Sequence, residues 1–369
     1  TAEPFDIEAT STSGLEVLFN ILSGPATISG NTITLTGDTG IVAVEATQPG
    51  NSTYNPAEPV IQYFAVLNPN WHVPTIDPRN PLSGDVPVPS LSQIQLAAIS
   101  TITYPELFQV ANVQFRVNGQ TIEAQNFWNG HFTAWWTPPS YGSYTIEILS
   151  ANNFGAIATK VVNINIVPTA TDVSVDAFKD IWLNPSVSSV VADGELPSFL
   201  GAYDKIIATL KVHCPTGGCG AWDRVASVDA QDKEGNWFQI IKYITPYGVA
   251  CSHSIDLTDY ASILQGKVSF RVNCETLDNG FLYDLSFDYE QGTPPYKYST
   301  VKQVWKNYYP FGDYAQMQPV EEFNYTYPDN AVASKLKLVS TGHGWGSLNT
   351  GNAAQYYNPT HNVWVNGVK

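Results

Sequence analysis

Short runs in which apolar and polar residues alternate, separated by turn-forming residues, constrain this sequence more than any other feature. In NTITLTG at 31–37 and KVSFRVN at 267–273 the side chains alternate with a period of two, which is typical of β-strands with one buried face. Aromatic residues make up 12% of the chain and there is a single Met, a composition that favours β-rich packing over helical bundles. We therefore predict an all-β chain.

The length indicates several folding units. At 369 residues the chain exceeds one ordinary compact domain, and its 27 Gly and 25 Pro supply many possible boundaries. We predict four units, at 1–68, 69–168, 169–318 and 319–369. The last is incomplete, because VWVNG near the C-terminus reads as a strand and turn with no partner strand after it.

The first two predicted units resemble bacterial immunoglobulin-like modules. The resemblance rests on ATQPGN and YNPA in the first unit and on WTPPSYGSYT in the second. It implies two N-terminal immunoglobulin-like β-sandwiches that act as spacers or adhesive stalk units. Trp135 and Trp136 in the second unit are either a platform for a sugar or ordinary core and edge packing.

Charge and hydropathy exclude some partners. With 33 acidic and 17 basic residues the formal net charge is −16, which would repel both nucleic acid and anionic lipid. No stretch approaches the ~20 apolar residues of a transmembrane helix. The chain starts at Thr1 without a basic and apolar leader, so we expect either that a signal peptide has been removed or that this is an internal piece of a longer protein.

All four cysteines, Cys214, Cys219, Cys251 and Cys274, lie in the second half of the chain. Four cysteines allow three pairings. The close spacing of the first two favours a small bridged loop, which leaves Cys251 to pair with Cys274, and two bridges would indicate an oxidising compartment. Zinc is the alternative, but the Cys-x4-Cys spacing and the nearby histidines do not match a finger pattern.

The segment HCPTGGCGAWDR at 213–224 carries the strongest chemical signal. A bridge between Cys214 and Cys219 would stiffen the backbone that leads into Asp223, as an active-site carboxylate requires. On a strand, Trp222 and Arg224 would share the opposite face and could contact a sugar. The alternative is that Asp223 and Arg224 form an ordinary surface ion pair. Glu275, directly after Cys274, is a second carboxylate at a strand end, as acid/base hydrolysis would need.

Several motifs in the same order resemble the peptide-N-glycosidase F family. They are CPTGGCGAWDR, ITPY, IDLTDY, NCETL, GTPPYKYS and the later GWG. The resemblance covers about residue 175 to the end and implies two packed eight-stranded jelly-roll-like sandwiches with the active site in the cleft between them. It also implies that Asp223 is the primary catalytic carboxylate and Glu275 an auxiliary one.

The family's third carboxylate is replaced here. It belongs to a Cys-Ala-Glu-aromatic-Cys segment, whereas this chain has AAQYY at 353–357, so that Gln355 stands in place of the Glu. A glutamine can orient water but cannot hold a proton near neutral pH. We therefore expect impaired catalysis, with Gln355 still in the site and with Trp345 and Tyr356 as candidate glycan contacts.

The resemblance leaves two functions open. One is a secreted or cell-surface amidase that cleaves the glycosylasparagine bond of N-linked glycoproteins without metal or cofactor. Copper, which His343 and His361 could suggest, would need clusters of His and Met that the sequence lacks. The other is a non-catalytic module of an adhesin or surface assembly that binds a glycan or another cell-surface protein.

Overall fold

Strands and the turns between them form the folded part of the chain. The computed structural model describes residues 3–68, 72–306, 322–344 and 360–368. Over these residues it contains 23 β-strands, two single-turn 3-10 helices and no α-helix. The all-β prediction is confirmed. Within the same ranges, no helix has the length and apolar character needed to cross a bilayer.

The chain divides into two compact units. The first comprises Thr1–Pro74, Ile102–Gln109 and Ala151–Ile157, and the second comprises Thr75–Thr101, Val110–Ser150 and Ala158–Lys369. The module predicted at 1–68 lies within the first unit. The predicted boundaries at 168 and 318 both fall inside the second unit and stay predictions.

The N-terminal strands form two three-stranded sheets. The strands are β1 (Phe5–Asp6), β2 (Leu18–Ser23), β3 (Ala26–Ser29), β4 (Thr32–Leu35), β5 (Gly40–Gln48) and β6 (Ala57–Val66). Their orders are β1-β4-β3 and β2-β5-β6. A small core of Ala26, Ile33, Val42 and Val44 lies at the centre. Ile33 and Leu35 are the two apolar residues of NTITLTG; Ile33 is fully buried and Leu35 packs against the same core, so the alternation there does produce a buried face.

The next nine strands form what we call the middle sandwich. They are β7 (Thr75–Asn80), β8 (Gly84–Pro87), β9 (Ile94–Thr101), β10 (Val110–Val117), β11 (Gln120–Glu123), β12 (Gln125–Phe127), β13 (His131–Trp136), β14 (Gly142–Asn152) and β15 (Ile157–Val167). The sheets run β12-β13-β9-β7 and β11-β10-β14-β15-β8. Trp136 is buried in the core, so the two adjacent tryptophans do not form a platform together, and Trp135 instead meets Tyr298 edge-on. The immunoglobulin-like assignment stays a prediction.

The following strands form the eight-stranded sandwich that the family resemblance implies. They are β16 (Val173–Leu183), β17 (Ser189–Glu195), β18 (Tyr203–His213), β19 (Val225–Gln231), β20 (Trp237–Ile244), β21 (Cys251–Asp256), β22 (Lys267–Cys274) and β23 (Phe281–Gln291). The two four-stranded sheets run β16-β23-β18-β21 and β17-β22-β19-β20. Alternate residues of β23, from Phe281 to Tyr289, are all buried. This period of two places one face of each strand in the core.

The second implied sandwich is not formed by the described residues beyond 318. In 322–344 and 360–368 the structure has no strand. It has one isolated bridge between Val365 and Val368, and the two residues between them, Asn366 and Gly367, both have positive φ. Asn-Gly is the preferred pair for such a turn, so the turn predicted in VWVNG is present.

A charged cluster with a buried arginine at its centre joins the middle sandwich to the eight-stranded sandwich, and we call it the joint. Arg79 of β7 is 4% exposed. Its guanidinium donates to Asp77 Oδ2 at 3.0 Å, Asp193 Oδ2 at 3.2 Å and Ser269 Oγ at 2.7 Å. Lys267 of β22 also reaches Asp77 Oδ1, at 2.7 Å. The joint is therefore a partly buried network with residues from both sandwiches, so it fixes one against the other.

Candidate functional site

A small bridged loop connects β18 to β19. Cys214 and Cys219 are disulfide-bonded, as the sequence predicts. The Asn279 side-chain amide donates to two carbonyls of this loop, Thr216 O at 3.2 Å and Gly218 O at 2.5 Å. The loop is thus held covalently within itself and by hydrogen bonds to the β22–β23 connection.

The second predicted bridge is wrong, because Cys251 and Cys274 are free thiols. Cys251 belongs to β21 and Cys274 to β22, in opposite sheets. Packed sheets lie about 10 Å apart, whereas bridged cysteines usually have Cα atoms about 4.4–6.8 Å apart. Burial raises the pKa of both thiols, so both are weakly reactive.

Asp223 is buried at the point where the bridged loop enters β19. The backbone before it is held at Gly220, whose N–H donates to Gly280 O at 2.8 Å. After it, Arg224 N–H donates to Thr245 Oγ1 and Thr245 N–H donates to Arg224 O, both at 2.8 Å. Thr245 is the Thr of the ITPY motif. The backbone on both sides of Asp223 is therefore fixed, and the role of Asp223 as an active-site carboxylate stays a prediction.

Asp278 is a supporting residue that the sequence analysis missed. Its Oδ2 accepts the Ala221 N–H at 2.7 Å, and its Oδ1 accepts the Thr276 hydroxyl at 3.0 Å. Partial burial alone would raise the pKa of Asp278, but these bonds and one from Gly280 N–H bring that pKa below its ordinary value. Asp-Asn-Gly after ETL, a common turn signal, could have revealed it.

Glu275 lies at the same end of the sheet as Asp223. Cys274 pairs with Ala226 across β22 and β19, so Glu275 is one residue beyond that pair and Asp223 is three residues before it. Glu275 is exposed. The two carboxylates thus sit at neighbouring strand ends, and their joint action in a reaction stays a prediction.

Two large apolar side chains in the loops around Asp223 are exposed. Trp222 is 61% exposed and Leu277, in the loop after Glu275, is 80% exposed. Arg224 is half-buried, and its Nε is enclosed without a hydrogen-bond partner among the described residues. Large exposed apolar side chains next to a buried carboxylate suit a ligand that offers a flat face.

His343 also reaches Asp223. Its Nε2 lies 3.1 Å from the Asp223 carbonyl oxygen and 3.7 Å from Asp223 Oδ2. In the sequence this histidine stands out only as a candidate copper ligand. The signal that could have found it is its position between two glycines in TGHGWG. Gln355, Trp345 and Tyr356 lie outside the described residues, so their predicted roles stay predictions.

One cluster outside this site has side chains of metal-ligand type. Within the described ranges, Asp180, His213 and Asp284 bring their ligand atoms within 4.8 Å of one another. His213 Nε2 lies 3.2 Å from Asp284 Oδ1, which also accepts the Asp180 N–H at 2.8 Å. These contacts are explained by ordinary hydrogen bonds on the outer face of the sheet.

Fold and site together define a class of protein: an all-β chain in which a disulfide-stiffened loop presents a buried carboxylate at one end of an eight-stranded sandwich, with a second carboxylate nearby. Among curated proteins, the peptide-N(4)-(N-acetyl-β-D-glucosaminyl)asparagine amidase F of Elizabethkingia miricola is 30% identical to this chain over 240 residues. The match covers 60% of this chain. The resemblance to peptide-N-glycosidase F is thereby confirmed.

The chain spans 64% of the length of that relative. The structure of peptide-N-glycosidase F described as a glycosylasparaginase from Flavobacterium meningosepticum matches with 30% identity over 37% of this chain and 47% of that one, at a TM-score of 0.34. A structure of PNGF-II matches with 10% identity over 78% of this chain and 68% of that one, at a TM-score of 0.28. No family model matches the chain.

Proposed function

We propose that this protein hydrolyses the amide bond between asparagine and an N-linked glycan, at a site built around Asp223. The observation that carries the proposal is the buried Asp223 in its fixed WDR segment, at the position that the family resemblance gives to the primary catalytic carboxylate. The curated relative is named as an amidase of this bond. Glycoproteins with N-linked glycans are the corresponding substrates.

The proposed reaction is an amide hydrolysis. A water oxygen bonds to the side-chain carbonyl carbon of the glycosylated asparagine, and Asp223 accepts the proton that the water loses. The carbon–nitrogen bond then breaks and the nitrogen takes a proton, which yields aspartate and a glycosylamine. Glu275 assists from the neighbouring strand end, while Trp222 and Arg224 hold the sugar, with Trp345 and Tyr356 as further contacts.

Impaired catalysis is part of the proposal, because Gln355 replaces a carboxylate. General acid/base assistance is worth about 10²–10⁴-fold in rate, and an amide side chain cannot supply it. A specific observation also supports the alternative of glycan binding without turnover: Trp222, beside the buried Asp223, is 61% exposed and offers a stacking face. In that case the protein is a recognition module of an adhesin or surface assembly.

The test is release of glycan from a denatured N-glycoprotein by the whole chain, with Asp223→Asn as the matched variant. We expect measurable release that Asp223→Asn lowers by at least about 10²-fold. Release that survives this substitution excludes the mechanism. No release, together with glycan binding that Trp222→Ala abolishes, supports the recognition module instead.

Location is part of the same proposal. The Cys214–Cys219 disulfide supports an oxidising compartment, and hence a secreted or cell-surface protein. The net charge of −16 opposes binding to nucleic acid. Other cell-surface proteins are further proposed partners.

A further inference from the structure

The contact between His343 and Asp223 defines which ring nitrogen carries a hydrogen. A carbonyl oxygen can only accept a hydrogen bond, and His343 Nε2 lies 3.1 Å from the Asp223 carbonyl oxygen. Nε2 must therefore be protonated, and the Nε2–H donates to Asp223. The same nitrogen is 3.7 Å from Asp223 Oδ2, so its partial positive charge also faces the carboxylate.

The segment that carries His343 is attached to the eight-stranded sandwich at more than this one point. Lys335 Nζ reaches Asp259 Oδ2 at 2.7 Å. Two residues later, Lys337 Nζ donates to Asp256 O at 3.3 Å and lies 5.3 Å from the centre of the Tyr260 ring. The segment therefore runs along the sandwich from the end of β21, which brings His343 to Asp223 from outside the WDR loop.

His343 completes the restraint of Asp223. Thr245 holds the peptide on the C-terminal side of Asp223 through Arg224, and Asp278 holds Ala221 on the N-terminal side. The Asp223 carbonyl itself is bound by His343. A carboxylate that must take a proton from water needs its position fixed within a fraction of an ångström, and this third restraint acts on the residue itself.

We propose that His343 is a positioning residue for Asp223, and that it acts by donating its Nε2–H to the Asp223 carbonyl. The inference rests on the proposed function, since it assigns His343 a part in the reaction of Asp223. It also predicts which ring nitrogen of His343 carries the hydrogen, and this can be measured without turnover.

The kinetic test compares two replacements of His343. Glutamine can place an amide N–H where the histidine has Nε2–H, whereas leucine has similar bulk and no donor. We expect His343→Leu to lower kcat on the order of 10–100-fold with KM changed little. His343→Gln should recover most of that loss. His361→Leu, at an exposed histidine, is the control and should leave kcat unchanged.

Equal losses in the Leu and Gln variants would mean that the ring only fills space, and would overturn the proposal. The ring nitrogens of the intact protein, observed by NMR at alkaline pH where histidine is neutral, provide the second measurement. We expect the Nε2–H tautomer for His343 and ring signals that shift in Asp223→Asn. An Nδ1–H tautomer overturns the proposal. Absence of glycan release from the unsubstituted protein contradicts the proposed function alone, since the ring measurement still decides this inference.

Discussion

At the scale of single residues, short polar side chains in loops hold the candidate site together. Asp278 binds the backbone of the WDR loop through Ala221 and that of its own loop through Gly280. Gly280 in turn has φ +70°, and a Cβ there would overlap the Leu183 carbonyl. The Asp-Asn-Gly sequence of this loop therefore has two roles. The aspartate binds the WDR loop, and the glycine permits the close approach of β16.

Replacing Asp278 should loosen this arrangement. We expect Asp278→Ala to lower the free energy of unfolding by about 1–2 kcal/mol at neutral pH, because the Ala221 N–H loses its acceptor. The lowered pKa of Asp278 in the folded state means that its stabilisation is present above the pKa of the unfolded chain and is lost as the pH falls through the folded value. Denaturant unfolding at several pH values, with exposed Glu58→Ala as control, measures this. If Asp278→Ala still lowers the free energy of unfolding by the same amount in strong acid, the carboxylate of Asp278 is not the stabilising group.

Thiol counting tests the corrected cysteine pairing. Cys251 and Cys274 are free, and burial raises their pKa. We expect two thiols per chain to react with a disulfide reagent after unfolding without reductant, and much slower reaction in the native protein. Cys251→Ser and Cys274→Ser should each remove one. A count of zero in the unfolded protein would restore the second bridge.

At the scale of elements, a buried carboxylate of β19 binds two cations. Asp229 pairs with Arg271 of the neighbouring strand β22 and with Lys306, which follows β23. Asp229 is 1% exposed, and its Oδ2 accepts Arg271 Nη2 at 2.6 Å and Lys306 Nζ at 3.1 Å. Arg271 also lies 4.5 Å from the centre of the Trp237 ring. Two cations therefore share one carboxylate oxygen at the pairing of β19 with β22.

Removing one of these cations should be costly. Arg271→Met keeps much of the packing but leaves Asp229 with Lys306 alone, and breaking a buried pair is destabilising by about 3–5 kcal/mol. Because Lys306 remains, we expect a loss nearer 2 kcal/mol, seen as a lower midpoint in denaturant. Lys211→Met, at an exposed position of β18, is the control and should change the midpoint little. Equal effects of the two substitutions would contradict the pairing.

Strands could be predicted where their side chains alternate, and their partners could not. In β22 and β23 the period of two identifies the buried face, because one face packs in the core and the other meets solvent. Pairing of Cys274 with Ala226 depends on contacts between segments far apart in sequence, which local pattern does not encode. For the same reason, the spacing of four cysteines predicted the short bridge correctly and the long one wrongly.

The site shows the same division between local and long-range information. Asp223 and Trp222 lie in a continuous motif beside two cysteines, which singled them out in the sequence, and their roles in a reaction stay predictions. The Asp223–His343 contact spans 120 residues, and the glycines on either side of His343 mark the position without indicating its partner. Support from Thr245 was also missed, although ITPY was recognised as a motif, because a threonine in a motif does not reveal which backbone group it binds.

At the scale of the whole molecule, a buried lysine lies beneath the joint. Lys233, in the turn between β19 and β20, is 4% exposed and donates to Gln265 O and Lys267 O. Burial first, and then the nearby Arg79 charge, lower the pKa of Lys233 to about 7. Asp193 and Asp232 oppose this shift. The His131 ring of the middle sandwich forms a hydrogen bond with the Lys233 backbone, and burial lowers the pKa of His131.

Stability should therefore depend on pH through Lys233. In the unfolded chain a lysine stays protonated to about pH 10.4, so between pH 7 and that value unfolding takes up a proton. The free energy of unfolding should rise with pH, by about 1.4 kcal/mol per unit from this group. We expect Lys233→Met to lose this part of the slope between pH 7 and 9, as measured by denaturant unfolding. Lys242→Met should keep this part of the slope. Identical slopes in the unsubstituted protein and both variants would contradict the lowered pKa of Lys233.

The joint also determines how this chain can be divided or recombined. Asp193 and Ser269 contribute to it from the eight-stranded sandwich, and Leu200 of that sandwich packs in the core of the middle one. A fragment that started at residue 169 would leave Asp193 and Ser269 without Arg79 and would expose the Leu200 side chain to water. A fragment of this protein that keeps the eight-stranded sandwich intact should therefore include β7 from Thr75, and a middle sandwich transplanted from a relative will need its own matching aspartate and arginine.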